Sequence, residues 1–260
     1  MAELEDLLAT PLFRRERRRL VLTAEGALFR HHASIGLQSL ESGVAALQPI
    51  AQGGSIRVGI LPTAAARLFP RVAVRFLALR PKTTLKIETG PHGYLMGLLR
   101  DGGIDMMIGR MPDPEEMAGL SFAHLYEEDV VLVARAGHPL AGRPVAKLLA
   151  GVPVILPGEG AVIRRAGDNY LKVIGLPSLR PAVETVALAV GLGILAASDS
   201  VWLISRGVVA EELRRGEMIA VPTGMRFLSG AVGITARQAA PAHAGAILLQ
   251  RICHEESYKA

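Results

Sequence analysis

The sequence predicts an α/β fold of two lobes preceded by one long helix, and three observations predict it. Residues 23 to about 50 have the pattern of a single helix. From Gly53 onward, short apolar strand-like segments alternate with helix-like segments. Glycine and proline separate these segments. Alternation of strand, helix and strand is typical of a parallel sheet with right-handed crossovers. Two such lobes joined by chain crossovers would explain the order.

The long helix has a clear start and an apolar seam. Thr23 is a suitable N-cap, and Glu25 places negative charge at the positive end of the helix dipole. Pro49 and the Gly53-Gly54 pair end the helix in a hinge-like linker. The 3-4-3 spacing of four apolar residues gives a narrow seam that indicates helix pairing, and these residues are Leu37, Leu40, Val44 and Leu47. We therefore expect a dimer contact here.

The first lobe is predicted to alternate three strands with two helices. Its strands are assigned to Ile56–Leu61, Leu85–Glu88 and Ile104–Ile108. Pro62 and Thr63 break the first strand and begin a helix, which the apolar residues Leu68, Phe69, Val72, Phe76 and Leu79 extend. A second helix is expected through Leu95, Leu98 and Leu99.

The rest of the chain is predicted to supply the second lobe and to return to the first. Helical segments are expected around 161–173 and 185–192, with a closing helix from about Pro241. Strands are assigned to Val130–Ala134, Val152–Leu156, Gly193–Ala197 and Gly230–Ala236.

Candidate ligand-binding residues follow the predicted strands, because ligands of parallel sheets bind beyond the carboxyl ends of the strands. Thr63, His92 and Arg110 follow the three strands of the first lobe. The Thr63 hydroxyl would bind a carboxylate or simply cap its helix. Arg110 would pair with a carboxylate, or would form a surface ion pair with Asp113 or Glu115. In the second lobe we expect Gly158 to rim the pocket and Thr185 to face the ligand across it. A small organic anion between the lobes suits this set.

Composition and motifs argue against several other classes. The chain has 260 residues, a net charge of +5 and a single cysteine, Cys253, so it forms no internal disulfide. It has no secretory signal, and the apolar window Val183–Ala197 is too short to span a bilayer. We therefore expect a cytoplasmic protein with no membrane partner. His31 and His32 are expected to face solvent, and no catalytic constellation or metal-ligand spacing occurs. We expect no enzyme activity, cofactor or metal.

The first residues resemble a specific junction. Leu4 to Arg15 (LEDLLATPLFRR) and Leu20 to Gly26 (LVLTAEG) are similar to the pattern LE-x-x-L-G-x-x-LF-x-R followed by L-T-x-A-G. LysR-type transcriptional regulators have this pattern at the end of the recognition helix, the wing and the start of the linker helix. Ala9 replaces the usual glycine. Gly102–Gly109 and Ala136–Leu140 also fit the effector domain of that family, so the resemblance covers essentially the whole chain.

The resemblance implies a domain order and a function. It implies a two-lobed, type 2 periplasmic-binding-protein-like effector domain, preceded by a linker helix and a remnant of a winged helix-turn-helix. The remnant spans residues 1–22. The linker and dimerisation helix, with its hinge, spans residues 23–54, and the effector domain spans residues 55–260. Lobe I is expected at about 55–136 and 230–260, and lobe II at about 137–229.

The implied partners are promoter DNA, a small organic acid and further copies of the chain, as a homodimer or homotetramer. Three segments are most similar to a subgroup that regulates protocatechuate breakdown or sugar uptake. They are Leu61–Thr63, Ile108–Arg110 and Phe122–Tyr126.

An arginine run lies in the segment that resembles the wing. As wing residues these arginines would contact DNA phosphates, although a solvated basic loop is the alternative; they are Arg14, Arg15, Arg17, Arg18 and Arg19. The family places two helices and the base-reading start of a third before this block. We therefore expect the chain to lack them, to be defective in specific DNA binding and to have a poorly ordered Glu3–Phe13 segment. The sequence leaves open whether a late start codon or a truncation is responsible.

Two other functions share the expected two-lobe fold. A solute-binding protein of a transporter would require export, for which the sequence has no signal. An enzyme would require an acid–base or nucleophilic constellation.

Overall fold

The computed structural model describes residues 2–16, 19–47, 54–139, 142–223, 228–238 and 244–258. Arg17, Arg18, Pro49 and Gly53 therefore lie outside the described residues. Within the described residues, no helix is both long enough and apolar enough to cross a membrane.

The N-terminal region consists of a short helix, a hairpin and the long helix. These are α1 (Ala2–Leu8), the antiparallel strands β1 (Phe13–Glu16) and β2 (Arg19–Leu22), and α2 (Ala24–Leu47). Thr23 Oγ1 accepts a hydrogen bond from the Gly26 N–H at 2.9 Å. The predicted N-cap is therefore confirmed.

The segment Glu3–Phe13, which is expected to be poorly ordered, contacts the hairpin through one carboxylate. Glu5 Oε1 accepts hydrogen bonds from the backbone N–H groups of Leu12 at 2.6 Å and Phe13 at 2.9 Å. Leu12 is also buried. A single carboxylate thus ties α1 to the start of the hairpin and fixes the turn between them.

Lobe I is built on three parallel strands, as predicted. The middle strand β3 (Ser55–Ile60) pairs with β4 (Thr84–Thr89) on one side and with β5 (Met106–Arg110) on the other. The helices between them are α3 (Pro62–Ala65), α4 (Leu68–Leu79) and α5 (His92–Arg100). Strand β11 (Ser229–Arg237) adds antiparallel to β5, and α10 (Ala244–Ser257) packs on α4. Side chains of β3, α4, β5 and α10 bury a common core.

Lobe II is assembled around the far half of one very long strand, β6 (Leu120–Arg135). Its remaining strands are β7 (Val154–Leu156), β8 (Val183–Glu184), β9 (Val201–Ser205) and β10 (Met218–Val221). Its helices are α6 (Val145–Gly151), α7 (Val162–Val173), α8 (Leu188–Ala197) and α9 (Ala210–Arg215). The strand order is β4-β3-β5-β11-β6-β9-β7-β8, with β10 also paired to β6. Trp202 and Tyr170 are fully buried in this lobe.

The predicted strand at Gly193–Ala197 is wrong. These residues form the last turns of α8, and the buried strand is Val201–Ser205, which the sequence analysis did not assign. Both segments are short and almost wholly apolar, so neither shows the alternation that separates a strand from a helix. Strands β8 and β10, two and four residues long, were also missed.

Strand β6 passes from one lobe into the other. It pairs with β11 as far as Asp129, and with β9 from Val130 onward. Val130 belongs to the lobe II core, whereas Leu125 belongs to the lobe I core. Strand β6 therefore changes its pairing partner, from β11 to β9, between Asp129 and Val130. The predicted strand Val130–Ala134 is only the lobe II half of β6.

Candidate functional site

The three candidate residues of lobe I lie at one edge of the sheet. Thr63 is in α3 after β3, His92 begins α5 after β4, and Arg110 ends β5. Because β4, β3 and β5 are adjacent and parallel, their carboxyl ends share this edge. Their exposed fractions are 5%, 6% and 7%, so three polar side chains are buried there. This is the edge expected to bind a ligand.

Thr63 does not cap its helix. Helix α3 has Leu61 at its N-cap, with no side-chain hydrogen bond, and Thr63 lies inside the helix. Its carbonyl oxygen accepts a hydrogen bond from the Tyr126 hydroxyl at 3.4 Å. The capping alternative is therefore wrong, and α3 is linked instead to the crossing strand β6.

His92 is held through one ring nitrogen. Its Nε2 lies 3.0 Å from Glu116 Oε2. Its Nδ1 is buried and has no hydrogen-bond partner among the described residues. A buried polar atom without a partner is costly, and a bound ligand would relieve that cost.

Arg110 is buried against the point where β6 crosses between the lobes. Its Nη2 donates to the Glu128 carbonyl oxygen at 2.7 Å, whereas its Nε is buried without a hydrogen-bond partner among the described residues. Gly230 leaves room for the guanidinium, since a Cβ there would lie 2.2 Å from Nη1. Burial lowers the pKa of Arg110, against the charge of Glu128. The surface ion-pair alternative is wrong, because Arg110 is buried.

The Glu128 carboxylate lies at the same crossing and was missed by the sequence analysis. Its exposed fraction is 7%, and its Oε1 accepts a hydrogen bond from the Gly207 N–H of lobe II at 2.7 Å. A Cβ at Gly207 would lie 2.7 Å from Oε2, so the backbone approaches this closely only because residue 207 is glycine. Burial raises the pKa of Glu128, although the Gly207 bond and Arg110 act in the opposite direction. In the sequence, nothing distinguishes Glu128 from a solvated glutamate, because it lies in the middle of the acidic run Glu127–Asp129.

The lobe II candidates lie after two adjacent parallel strands. Gly158 follows β7, and its carbonyl accepts a hydrogen bond from the Ala161 N–H at 2.9 Å. Thr185 follows β8 and does not begin a helix as expected, because α8 starts at Leu188. The Thr185 Oγ1 accepts from the Ala187 N–H at 3.0 Å, and its carbonyl accepts from Trp202 Nε1 at 3.2 Å. Both side-chain and carbonyl oxygens of Thr185 therefore bond within lobe II.

Arg164 is a further, partly buried cation at this edge of lobe II. Its guanidinium donates to the Pro157 carbonyl at 2.8 Å, to Glu184 at 2.6 Å and to Asp168 at 2.9 Å. The sequence analysis missed it because the arginine pair at positions 164 and 165 resembles an ordinary helix surface.

The two lobes touch beside these edges. Helix α3 packs against the 3-10 turn Arg206–Val209, and the Asp113 carboxylate pairs with Arg165 of α7 at 2.8 Å. The two cleft edges are therefore in contact at these two places. Among the described residues, no group of three or more histidine, cysteine or acidic side chains is arranged to hold a metal ion.

The described residues among those expected to bind DNA and to dimerise lie on the N-terminal surface. Arg14, Arg15 and Arg19 are exposed on the hairpin, and Arg14 pairs with Glu16 at 2.8 Å. On α2 the exposed fractions are 64% for Leu37, 69% for Leu40 and 58% for Val44. The side chain of Leu47 lies outside the described ones.

One prediction for α2 is wrong. His31 does not simply face solvent, because its Nδ1 lies 3.1 Å from Asp101 Oδ1 of lobe I. Sequence reasoning could not foresee this contact, since it joins residues 70 positions apart.

Comparison with known proteins identifies the family. Residues 51–257 match the model of the LysR substrate binding domain. The chain is 39% identical over 239 residues to the HTH-type transcriptional regulator PcaQ of Agrobacterium fabrum, covering 90% of this chain and 77% of PcaQ. It is 31% identical over 250 residues to the HTH-type transcriptional regulator YdcI of Escherichia coli, covering 95% of this chain and 81% of YdcI.

Solved structures confirm the fold. A full-length OxyR variant of Pseudomonas aeruginosa superimposes with a TM-score of 0.72 at 21% identity, covering 98% of this chain and 86% of OxyR. The two-lobed, periplasmic-binding-protein-like fold predicted from the sequence is thereby confirmed. The relatives are named as transcriptional regulators rather than as enzymes or solute-binding proteins. This chain belongs to the LysR-type transcriptional regulators and carries their effector-binding domain.

Proposed function

We propose that this regulator senses a small organic anion held between the two lobes at Thr63, His92, Arg110, Gly158 and Thr185. The observation that carries the proposal is the pair of buried nitrogens, Arg110 Nε and His92 Nδ1, which have no hydrogen-bond partner among the described residues. Leaving a buried donor unsatisfied costs about 1–3 kcal/mol, and more for a charged group. An anionic ligand at the strand edge would supply acceptors for such groups.

Ligand binding would act on the crossing between the lobes. Arg110 belongs to lobe I, Gly207 to lobe II, and Glu128 lies on β6 between them. A ligand bound to Arg110 alters the charge beside Glu128, so it favours one arrangement of the lobes over another. Effector binding is thus expected to shift the equilibrium between lobe arrangements. The oligomer is expected to transmit that shift to DNA.

Calorimetry with protocatechuate, its ring-cleavage products and neutral sugars tests the ligand class. Protocatechuate is included because the sequence resembles the subgroup that regulates its breakdown. Replacing Arg110 with Gln is expected to weaken anion binding by at least about tenfold, the equivalent of one charged hydrogen bond. Arg251→Gln is the matched control, because Arg251 is exposed on α10 and pairs with Glu255 at 3.7 Å. Tighter binding of neutral sugars than of anions would overturn the proposal.

We infer that the N-terminal region of this chain contributes phosphate contacts rather than base reading. Helix α1 carries the acidic residues Glu3, Glu5 and Asp6 and no arginine, lysine, asparagine or glutamine. Carboxylates repel phosphates, and they lack the donors that read purines. The exposed hairpin arginines Arg14, Arg15 and Arg19 supply cations, together with Arg17 and Arg18 outside the described residues.

A mobility-shift assay tests this inference. DNA from the promoter beside the gene is compared with a shuffled fragment at physiological salt. Equal, salt-sensitive retardation of both fragments is expected, because phosphate attraction is independent of sequence. Retardation of the promoter fragment alone would show that base-reading residues are present in this chain.

We also propose that α2 pairs with a second copy of the chain. Leu37, Leu40 and Val44 are more than half exposed, and they recur at the spacing of a helix-pairing seam. A homodimer, or a homotetramer built from two such pairs, would cover them.

A further inference from the structure

Among the described residues, helix α2 contacts lobe I at the carboxylate of Asp101. Both oxygens of Asp101 are used: Arg30 Nη2 lies 3.1 Å from Oδ2, and His31 Nδ1 lies 3.1 Å from Oδ1. Asp101 is the C-cap residue of α5, and its own N–H bonds the Gly97 carbonyl at 2.9 Å. The linker helix is thus fastened to the C-terminal end of α5.

Glu116, which lies outside the helix, contacts both ends of α5. At the N-terminal end, the Glu116 carboxylate lies 3.0 Å from His92 Nε2. At the C-terminal end, Arg100 donates to the Glu116 carbonyl oxygen at 2.5 Å. Arg100 directly precedes Asp101, so Glu116 positions both the candidate effector residue and the attachment point of α2.

Glu116 is in turn connected to lobe II. It forms a capping box with Asp113, in which the Asp113 N–H donates to Glu116 Oε2 at 3.3 Å. The Asp113 carboxylate pairs with Arg165 of α7 at 2.8 Å. A series of polar contacts therefore runs from lobe II to His92 at the start of α5, and α5 itself connects His92 to Asp101 and the linker helix.

The body of α5 is suited to move as a unit. Leu95 and Leu99 are fully buried, and they pack with Leu61, Ile104 and Met107. Close-packed interiors transmit displacement, because they have few voids into which a side chain can relax. Displacement of one end of a nine-residue helix therefore displaces the other end.

We propose that α5 is a coupling lever, in which the contacts Arg165–Asp113–Glu116–His92 sense the position of lobe II and Asp101 conveys it to Arg30 and His31 of the linker helix. Glu116 is the positioning residue of the lever. The proposal rests on the proposed function only in taking His92 as part of the effector site. Separation of the lobes breaks the Arg165–Asp113 contact, which releases the capping box and with it the orientation of α5.

The expected coupling is modest. The side chains of Arg165 and Arg30 are 70% and 60% exposed, and ion pairs this exposed contribute little each. Coupling through such a series is expected to change the rate of amide hydrogen exchange in α2 by about two- to tenfold.

Hydrogen exchange of the α2 backbone amides around Arg30 tests the lever without any ligand. Asp101→Ala should speed exchange there because it removes the attachment. Glu116→Ala keeps the carbonyl that holds Arg100 but removes the carboxylate at His92, so it should speed exchange by releasing the N-terminal end of α5, although Glu116 does not contact α2. Arg165→Ala should speed exchange similarly. Glu116→Gln keeps an acceptor for His92 and should restore slow exchange. Glu115→Ala is the matched control, since Glu115 is the exposed neighbour in the same turn. Unchanged protection of β3 amides verifies that each variant is folded.

The outcomes separate the lever from the proposed function. Unchanged α2 exchange in Asp101→Ala would show that the helix does not dock at Asp101. Faster exchange in Asp101→Ala alone would leave a docking contact but overturn the lever. If no anion binds in calorimetry, the proposed function fails, yet the ligand-free exchange data still decide the lever. If protocatechuate does bind, it should change α2 exchange in the unmodified protein and much less in Glu116→Ala.

Discussion

The N-terminal region and the two lobes differ in where their apolar side chains lie. In the described part of residues 2–47, Leu12 is the one large apolar side chain that is buried. Leu7, Leu20 and Leu40 are 84%, 65% and 69% exposed. From Ser55 onward, three buried clusters form the cores of the lobes. The lobes are stabilised from within, whereas the N-terminal region presents surfaces that other molecules can cover.

This difference indicates how sensing and DNA contact are divided. Burying apolar area contributes about 25 cal/mol per Å², so these clusters stabilise the lobes from within. The exposed seam of the long helix would gain such a contribution if a second chain covered it, as we propose. Four experiments would break or sharpen this division.

The largest effect is expected in the core of lobe II. Trp202 is fully buried, and Trp202→Ala should lower the free energy of unfolding by about 3–5 kcal/mol because it leaves a cavity. Leu40→Ala on α2 should change the unfolding of the lobes by less than about 0.5 kcal/mol. Urea unfolding followed by circular dichroism measures both. Similar losses for the two variants would show that the lobes depend on the N-terminal region.

The next largest effect is expected on the oligomeric state, through the seam of α2. Changing Leu40 and Val44 to Glu together would bury two carboxylates in the proposed dimer contact, so the dimer should dissociate. Sedimentation velocity measures the oligomeric state. Leu28→Glu is the control, because Leu28 is 61% exposed on the same helix but off the seam. An unchanged dimer in the double variant would show that the seam is wrongly assigned.

A smaller effect is expected on the salt dependence of DNA affinity, through the hairpin arginines. Replacing Arg14, Arg15 and Arg19 with Ala should reduce the slope of log affinity against log salt by about 0.9 for each phosphate that is no longer neutralised. The unfolding of the lobes should not change. Fluorescence anisotropy with duplex DNA at several salt concentrations measures the slope. Lys82→Ala, an exposed change on lobe I, should leave the slope unaltered. A lower affinity at constant slope would argue against phosphate binding by these arginines.

The smallest effect is a pH dependence at the crossing between the lobes. Burial raises the pKa of Glu128 in the folded protein, so the folded state holds its proton more tightly than the unfolded state. The stability from this group is present below the unfolded pKa and is lost as pH rises through the raised one. Glu128→Gln should therefore gain stability relative to the unmodified protein as pH rises through that range. Unfolding free energies at several pH values test the sign, with Glu127→Gln, 59% exposed in its side chain, as control.

Much of the lobe I architecture could be predicted, and the reason is periodicity. The apolar repeat of α4 and the apolar runs of β3 and β5 each identify their element locally. In lobe II the same method failed between Gly193 and Ser205, where a helix and a strand are equally apolar. Strand β6 was half assigned, because the charged residues Glu127–Asp129 interrupt its apolar pattern at the crossing.

By itself, the sequence determined the family, the order of most elements and the sheet edge where Thr63, His92 and Arg110 lie. Those features depend on local patterns and on the rule that parallel strands share an edge. The tertiary structure alone decided that Glu128 is buried between Arg110 and Gly207, and that Asp101 holds Arg30 and His31. These contacts join residues that are distant in sequence. The residue type alone does not reveal whether a charged side chain is solvated or buried against a partner.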